Sequence, residues 1–138
     1  MGQQQLLLII LGVIVVGIAV AVGITMFADN AVSANRDAVT NDLVNLSSRA
    51  QQYFRRPKAL GGGENKFDGI TMKNLTNTNS TTDYSNANGS YTLGAIVAGS
   101  TGSVTLNGKG TEKGFDGSTP VEVNVIVFAA RDSMWVKN

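Results

Sequence analysis

The sequence predicts an α+β fold: one long N-terminal helix, apolar in its first half and amphipathic in its second, carrying a small C-terminal antiparallel sheet. Three observations predict it. Leu6 to Phe27 is a run of twenty-two residues without a charge. No proline separates that run from Pro57, and the apolar residues between them recur at helical spacing. The last third alternates with period two, most clearly at Val121, Val123, Val125 and Val127. The expected divisions are an apolar helix over 1–27, its amphipathic continuation over 28–56, a glycine-rich connector over 57–66 and a β-rich head over 67–138.

The apolar run spans about 33 Å as a helix, close to the ~30 Å hydrocarbon core of a bilayer. A soluble core seldom needs so long an uncharged run. A secretory signal would have a basic start and a shorter apolar region. Insertion into a membrane is therefore expected. Gly12, Gly17 and Gly23 are its weak points, each costing about 1 kcal/mol relative to alanine. Gly17 with Ala21, and Ala19 with Gly23, are small residues four apart, a spacing that lets helices approach closely in apolar surroundings. Leu6, Ile10, Gly12, Gly17, Ala19, Ala21, Gly23 and Phe27 are the candidate packing residues of this half.

Beyond Phe27 the chain runs through Ala28, Asp29 and Asn30 without a breaker. Val32, Val39, Leu43, Leu46, Ala50 and Tyr53 make one stripe, interrupted by Arg36. A rod from about Gly2 to Phe54 would be roughly 80 Å long. Arg55 and Arg56 suit the negative end of the helix dipole, and Pro57 stops propagation. Lys58 to Gly63, with three consecutive glycines, reads as a flexible hinge.

In the head, Ile70 and Met72 stand two apart and suggest a strand over Phe67–Leu75. Asn74 to Ser90 has loop composition and holds glycosylation-type sequons at Asn74, Asn79 and Asn88, with a fourth on the rod at Asn45. A strand follows with Tyr91, Leu93, Ala95 and Val97 on one face. Gly99 to Gly102 is a turn, and Val104 and Leu106 lie on the next strand. Asn107-Gly108 is a hairpin signal in its own right. The valine strand should lay its inner face on Val39, Leu43, Leu46, Ala50 and Tyr53. Trp135 and Val136 suit a short last strand after a turn at Arg131–Ser133, giving about four strands.

The N-terminal pattern is Gln3-Gln4-Gln5, an uncharged block, a seamless amphipathic continuation and then a β-rich remainder. It resembles the N-terminus of type IV pilins and their relatives, which include type II pseudopilins and archaeal pilins and flagellins. The resemblance covers residues 1 to about 55. It implies a pilin-like fold and a homopolymer: the major subunit of an extracellular filament on the cell surface, its apolar helices packed inside and its β heads outside. It further implies insertion in the inner membrane before assembly, with a prepilin-type peptidase and the pilus assembly machinery as partners. Adhesion, motility and DNA uptake are roles of such fibres. The alternative is a single-pass membrane protein, or a pseudopilin-like secretion component, whose head binds a partner. With Met1 as a mature first residue, Gln5 stands where most bacterial pilins carry a glutamate that neutralises a neighbour's N-terminal amine. A neutral amide can only accept a hydrogen bond, at roughly half the strength of a charge-assisted one. Met1 and Gln5 are thus the candidate N-terminal assembly contacts. The family's frequent helix-breaking proline is absent too, so a more continuous helix is expected. No Lys or Arg precedes Arg36, which fits removal of a basic leader.

Composition removes most chemistry. With no histidine and no cysteine, the usual bases, thiol nucleophiles, soft metal ligands and disulfides are missing. No Ser-x-x-Lys or Gly-x-Ser-x-Gly motif occurs, and neither glycine-rich stretch leads into a Gly-Lys-Ser/Thr phosphate loop. A net charge of +1 argues against a nucleic-acid surface. Aromatics at 7% are too scattered for stacked electron conduction. Asp116 with Glu122 or Asp132 could offer oxygen ligands to calcium, but the spacing is not that of an EF-hand loop. Neither enzyme nor cofactor is expected.

Overall fold

A computed structural model describes residues 2–137. Helix α1 runs unbroken over Gly2–Arg55, about 81 Å at the usual rise. A 3₁₀ turn follows at Lys58–Leu60, and a short helix α2 at Met72–Thr76. Five strands then form one antiparallel meander: β1 (Asp83–Ser85), β2 (Gly89–Val97), β3 (Ser103–Lys113), β4 (Pro120–Phe128) and β5 (Asp132–Val136), in spatial order β1-β2-β3-β4-β5. The expected α+β layout, with helix first and antiparallel sheet last, is what the chain adopts.

The core lies between the upper half of α1 and the inner face of the sheet. Val39, Leu43, Leu46, Ala50, Tyr53 and Phe54 are buried from the helix side. Val104 and Leu106 of β3, and Val121, Val123, Val125 and Val127 of β4, are buried from the sheet side. The valine face therefore packs on the rod as its alternation predicts. Phe67, Ile70, Met72 and Leu75 close the upper end, with the Phe67 ring 4.9 Å from that of Phe54.

Several elements differ from the sequence expectation. Phe67–Leu75 is not a strand. Phe67 and Ile70 bracket a turn, with Gly69 at φ +73°, and Met72 and Leu75 are three apart on α2. Spacing of three, not two, is the meaningful signal there. A short strand, β1, lies inside the loop-like stretch, paired to β2 with the Tyr84 and Tyr91 rings stacked at 5.8 Å. The sheet thus has five strands. On β2 the alternation slips at an irregularity between Leu93 and Ile96, leaving Ala95 and Val97 exposed.

Asn107-Gly108 is not a hairpin turn either; it sits within β3, where Gly108 faces Tyr91 on one side and Val123 on the other. A Cβ at Gly108 would stand 2.8 Å from Val39 Cγ1 and 2.9 Å from Leu43 Cδ1. The glycine is there because the rod crosses close above it. The β2–β3 turn falls at Gly99–Gly102 as expected.

The connector is not a free hinge. Gly63 N donates to Tyr53 O at 2.8 Å, Asn65 N to Phe54 O at 2.7 Å and Glu64 N to Arg56 O at 3.0 Å. These bonds satisfy carbonyls that a helix end leaves orphaned. A Cβ at Gly62 would strike Arg56 O, and one at Gly63 would strike Lys66 O. The glycines serve close approach, and the connector caps α1.

Gly108→Val should destabilise the head by about 1–3 kcal/mol through overpacking against Val39 and Leu43. Gly12→Ala, whose added Cβ meets nothing within 4 Å, should leave it unchanged. Urea unfolding of the detergent-solubilised full chain, followed by Trp135 fluorescence, measures both.

Candidate assembly surface and the rod-to-sheet clamp

Two surfaces of α1 behave differently. From Leu6 to Phe27 every residue is exposed, the large apolar ones by half or more and Phe27 by 79%. Leu6, Ile10, Gly12, Gly17, Ala19, Ala21, Gly23 and Phe27 all lie on this bare stem, and no heavy atom comes within 4 Å of a Cβ built on any of its three glycines. Gln5 is exposed near its start, while Met1 falls outside the described residues. The stem is long and apolar enough to cross a membrane. Gly12, Gly17 and Gly23 do not interrupt the helix.

The upper half is fastened to the sheet by polar groups flanking the apolar stripe. On one flank, a single oxygen of Asp42, Oδ2, accepts from Asn86 Nδ2 at 2.8 Å, Asn88 Nδ2 at 2.8 Å and Tyr91 Oη at 2.6 Å. Two turns below, Asn35 Nδ2 donates to Asn88 O at 2.9 Å, and Asn35 Oδ1 accepts from Glu112 N at 3.3 Å. Above, Arg49 Nη1 donates to Leu75 O at 2.8 Å. On the other flank, Ser47 Oγ and Gln51 Nε2 donate to the two carboxylate oxygens of Asp132, at 2.7 and 2.8 Å. Tyr53 Oη reaches Asp68 O at 3.1 Å. Low on the rod, the Arg36 guanidinium stacks 4.7 Å from the Phe115 ring centroid, which accounts for the break in the apolar stripe.

Burial opposes ionisation of Asp42, yet the donors Asn88, Tyr91 and Asn86 outweigh it and hold the carboxyl below its ordinary range. Burial, and then the same carboxylate, push the Tyr91 hydroxyl well above the usual phenol range. Tyr91 is therefore a fixed donor to Asp42 throughout the physiological range.

The sequence reading named Tyr53, Asn88, Tyr91 and Asp132 for other reasons and passed over Asn35, Asp42, Ser47, Arg49 and Gln51. A signal for one flank was present: Asn35, Asp42 and Arg49 are seven apart, a polar stripe beside the apolar one. The acidic groups considered for calcium do not converge. Asp116 caps its own turn, accepting from Ser118 N and Thr119 N at 3.0 Å, and Asp132 belongs to the clamp. Among the described residues no three acidic side chains are grouped to hold a metal. Of the sequons, Asn74 and Asn79 are exposed, Asn74 as part of the α2 cap with Thr71. Asn88 commits its amide nitrogen to Asp42.

No family model, curated protein or solved structure matches the chain.

Asp42→Ala should cost about 2–3 kcal/mol, since it strands three donors. The pH dependence follows from the lowered folded-state value. The carboxylate's contribution is complete above the unfolded value of 3.8 and is lost as pH falls through the lower folded one. Wild-type stability should therefore drop on acidification below about pH 4, and Asp42→Asn should shrink that drop. Urea midpoints from pH 7 to pH 2.5 measure it.

Proposed function

We propose that this chain is the structural subunit of an extracellular helical filament, held in the membrane as a monomer and then packed stem to stem with further copies. One observation carries the reading: a single unbroken helix has a bare apolar half at one end and a half clamped rigidly to a sheet at the other. A lone membrane anchor has no need of a stiff continuation bonded along both flanks to its head. A polymer does, because the position of each buried stem then fixes the position of each head. Packing the stems exchanges lipid for protein, so the gain comes from close contact and not from escape from water. Gly17, Ala21, Ala19 and Gly23 supply the small surface for it. The family resemblance at residues 1–55 supports the same reading, and the lack of His, Cys and a grouped acidic site among the described residues leaves a structural role as its simplest expression.

Shearing cells and imaging the released material by electron microscopy tests the proposal, with mass analysis of the recovered chain. Thin fibres composed of this chain are expected. Recovery only as a dispersed chain from detergent-extracted membrane would overturn it in favour of the single-pass alternative. Gly17→Leu should leave membrane insertion intact and reduce sheared fibre at least several-fold, because it removes close approach without reducing hydrophobicity.

A further inference from the structure

Charge on the wet half of α1, and on Arg56 just past its end, is sorted by height and by flank. Asp29 and Asp37 lie low and are exposed; Arg49 and Arg56 lie high and are exposed. None of the four is in an ion pair: among the described residues only Lys137 and Glu122 pair, at 3.1 Å. Other charges on the rod are otherwise placed, Arg36 on the Phe115 ring and Asp42 on its three donors, while Arg49 gives one guanidinium N–H to Leu75 O and another to Asn45 Oδ1. At about 100° per residue, Arg49 and Arg56 fall within roughly 20° of one line, while Asp29 and Asp37, about 80° from each other, lie about 100–180° round the axis from them. Arg55 shares the side of Asp37 but stands about 27 Å above it, beyond pairing range within one chain. The arginine flank borders a polar groove with Asn45, Ser48, Gln52 and Asn74, and no carboxylate lines it.

The two height differences agree. Asp29 to Arg49 is about 30 Å of helix, and Asp37 to Arg56 about 28 Å. We propose that neighbouring copies of this chain pack in parallel with an axial stagger of about 29 Å, the acidic flank of one rod against the arginine flank of the next. The occupant of the arginine groove is then the Asp29 and Asp37 side of a second copy. Parallel packing points every apolar stem the same way, and the close stem contacts at Gly17 and Ala21 then fall between copies nearer to one another in height. Because the two flanks are different surfaces, the contact is heterologous and repeats without closing, as fibre growth requires. Two pairs sharing one offset also favour this stagger over others, such as about 18 Å, which would match only Asp37 with Arg49. This register rests on the filament reading.

The chain has no native cysteine among its 138 residues, so cross-linking tests the register directly. Fibres of the Asp37→Cys, Arg56→Cys chain, and separately of the Asp29→Cys, Arg49→Cys chain, should give ladders of covalent multimers on mild oxidation. The Asp37→Cys, Arg49→Cys chain, with an offset of only about 18 Å, should remain monomeric. Arg56, which makes no side-chain hydrogen bond to the head, also serves a charge test. Arg56→Glu should lower fibre yield about three- to tenfold at low salt, and adding Asp37→Arg to the same chain should restore it. Fibres that form with no ladder from either matched pair, or with a ladder from the mismatched pair, would overturn the stagger and leave the filament standing. Absence of fibres from the wild-type chain would remove the filament and the stagger together.

Discussion

The close crossing of α1 over β3 is the constraint on which the rest of the head depends. Two glycines of β3 create it: a Cβ at Gly108 would meet Val39 and Leu43, and one at Gly110 would meet Asn35. With the rod drawn down to this distance, the valines of β4 close against the helix stripe, and Asp42, Asn35, Ser47 and Gln51 come within bonding reach of the loops on either side. A larger residue at Gly108 would lift the rod, opening the apolar contact and the polar clamps together, and one at Gly110 would displace the Asn35 side chain. The strand glycines are thus worth more than their poor β propensity suggests.

The clamp gathers its donors on few acceptors. A single Asp42 oxygen binds the β1–β2 loop through Asn86 and Asn88 and strand β2 through Tyr91. A stretch with loop composition becomes ordered in this way, its asparagines folding over a fixed charge on the helix. The connector is settled similarly, by carbonyls of the last helical turn that need partners. The head consequently holds its shape without disulfides, although it is small and glycine-rich.

Much of this was legible in the sequence, for physical reasons. The stem was visible because an uncharged run of bilayer length is long and apolar enough to cross a membrane, and the rod because nothing between Gly23 and Pro57 breaks a helix. The valine strand was visible because alternation of four valines fits one register. What escaped was set by tertiary approach. Asn107-Gly108 has the chemistry of a tight turn, but the helix overhead fixed its use. Ile70 and Met72 matched strand spacing by coincidence, while Met72 and Leu75 carried the helical signal. The connector's glycines looked mobile because sequence alone cannot show which backbone they press against. Asp42 looked like an ordinary solvated charge on a helix flank.

The strands at the two margins of the sheet are brief, three residues in β1 and five in β5. Each presents a small number of unpaired backbone groups, and the outer one carries Asp132 at its start with Lys137 just past its end. Such margins resist zipping sheet to sheet with a stranger. Addition of a foreign strand at either margin is thereby disfavoured, and the sheet is closed to amyloid-like stacking.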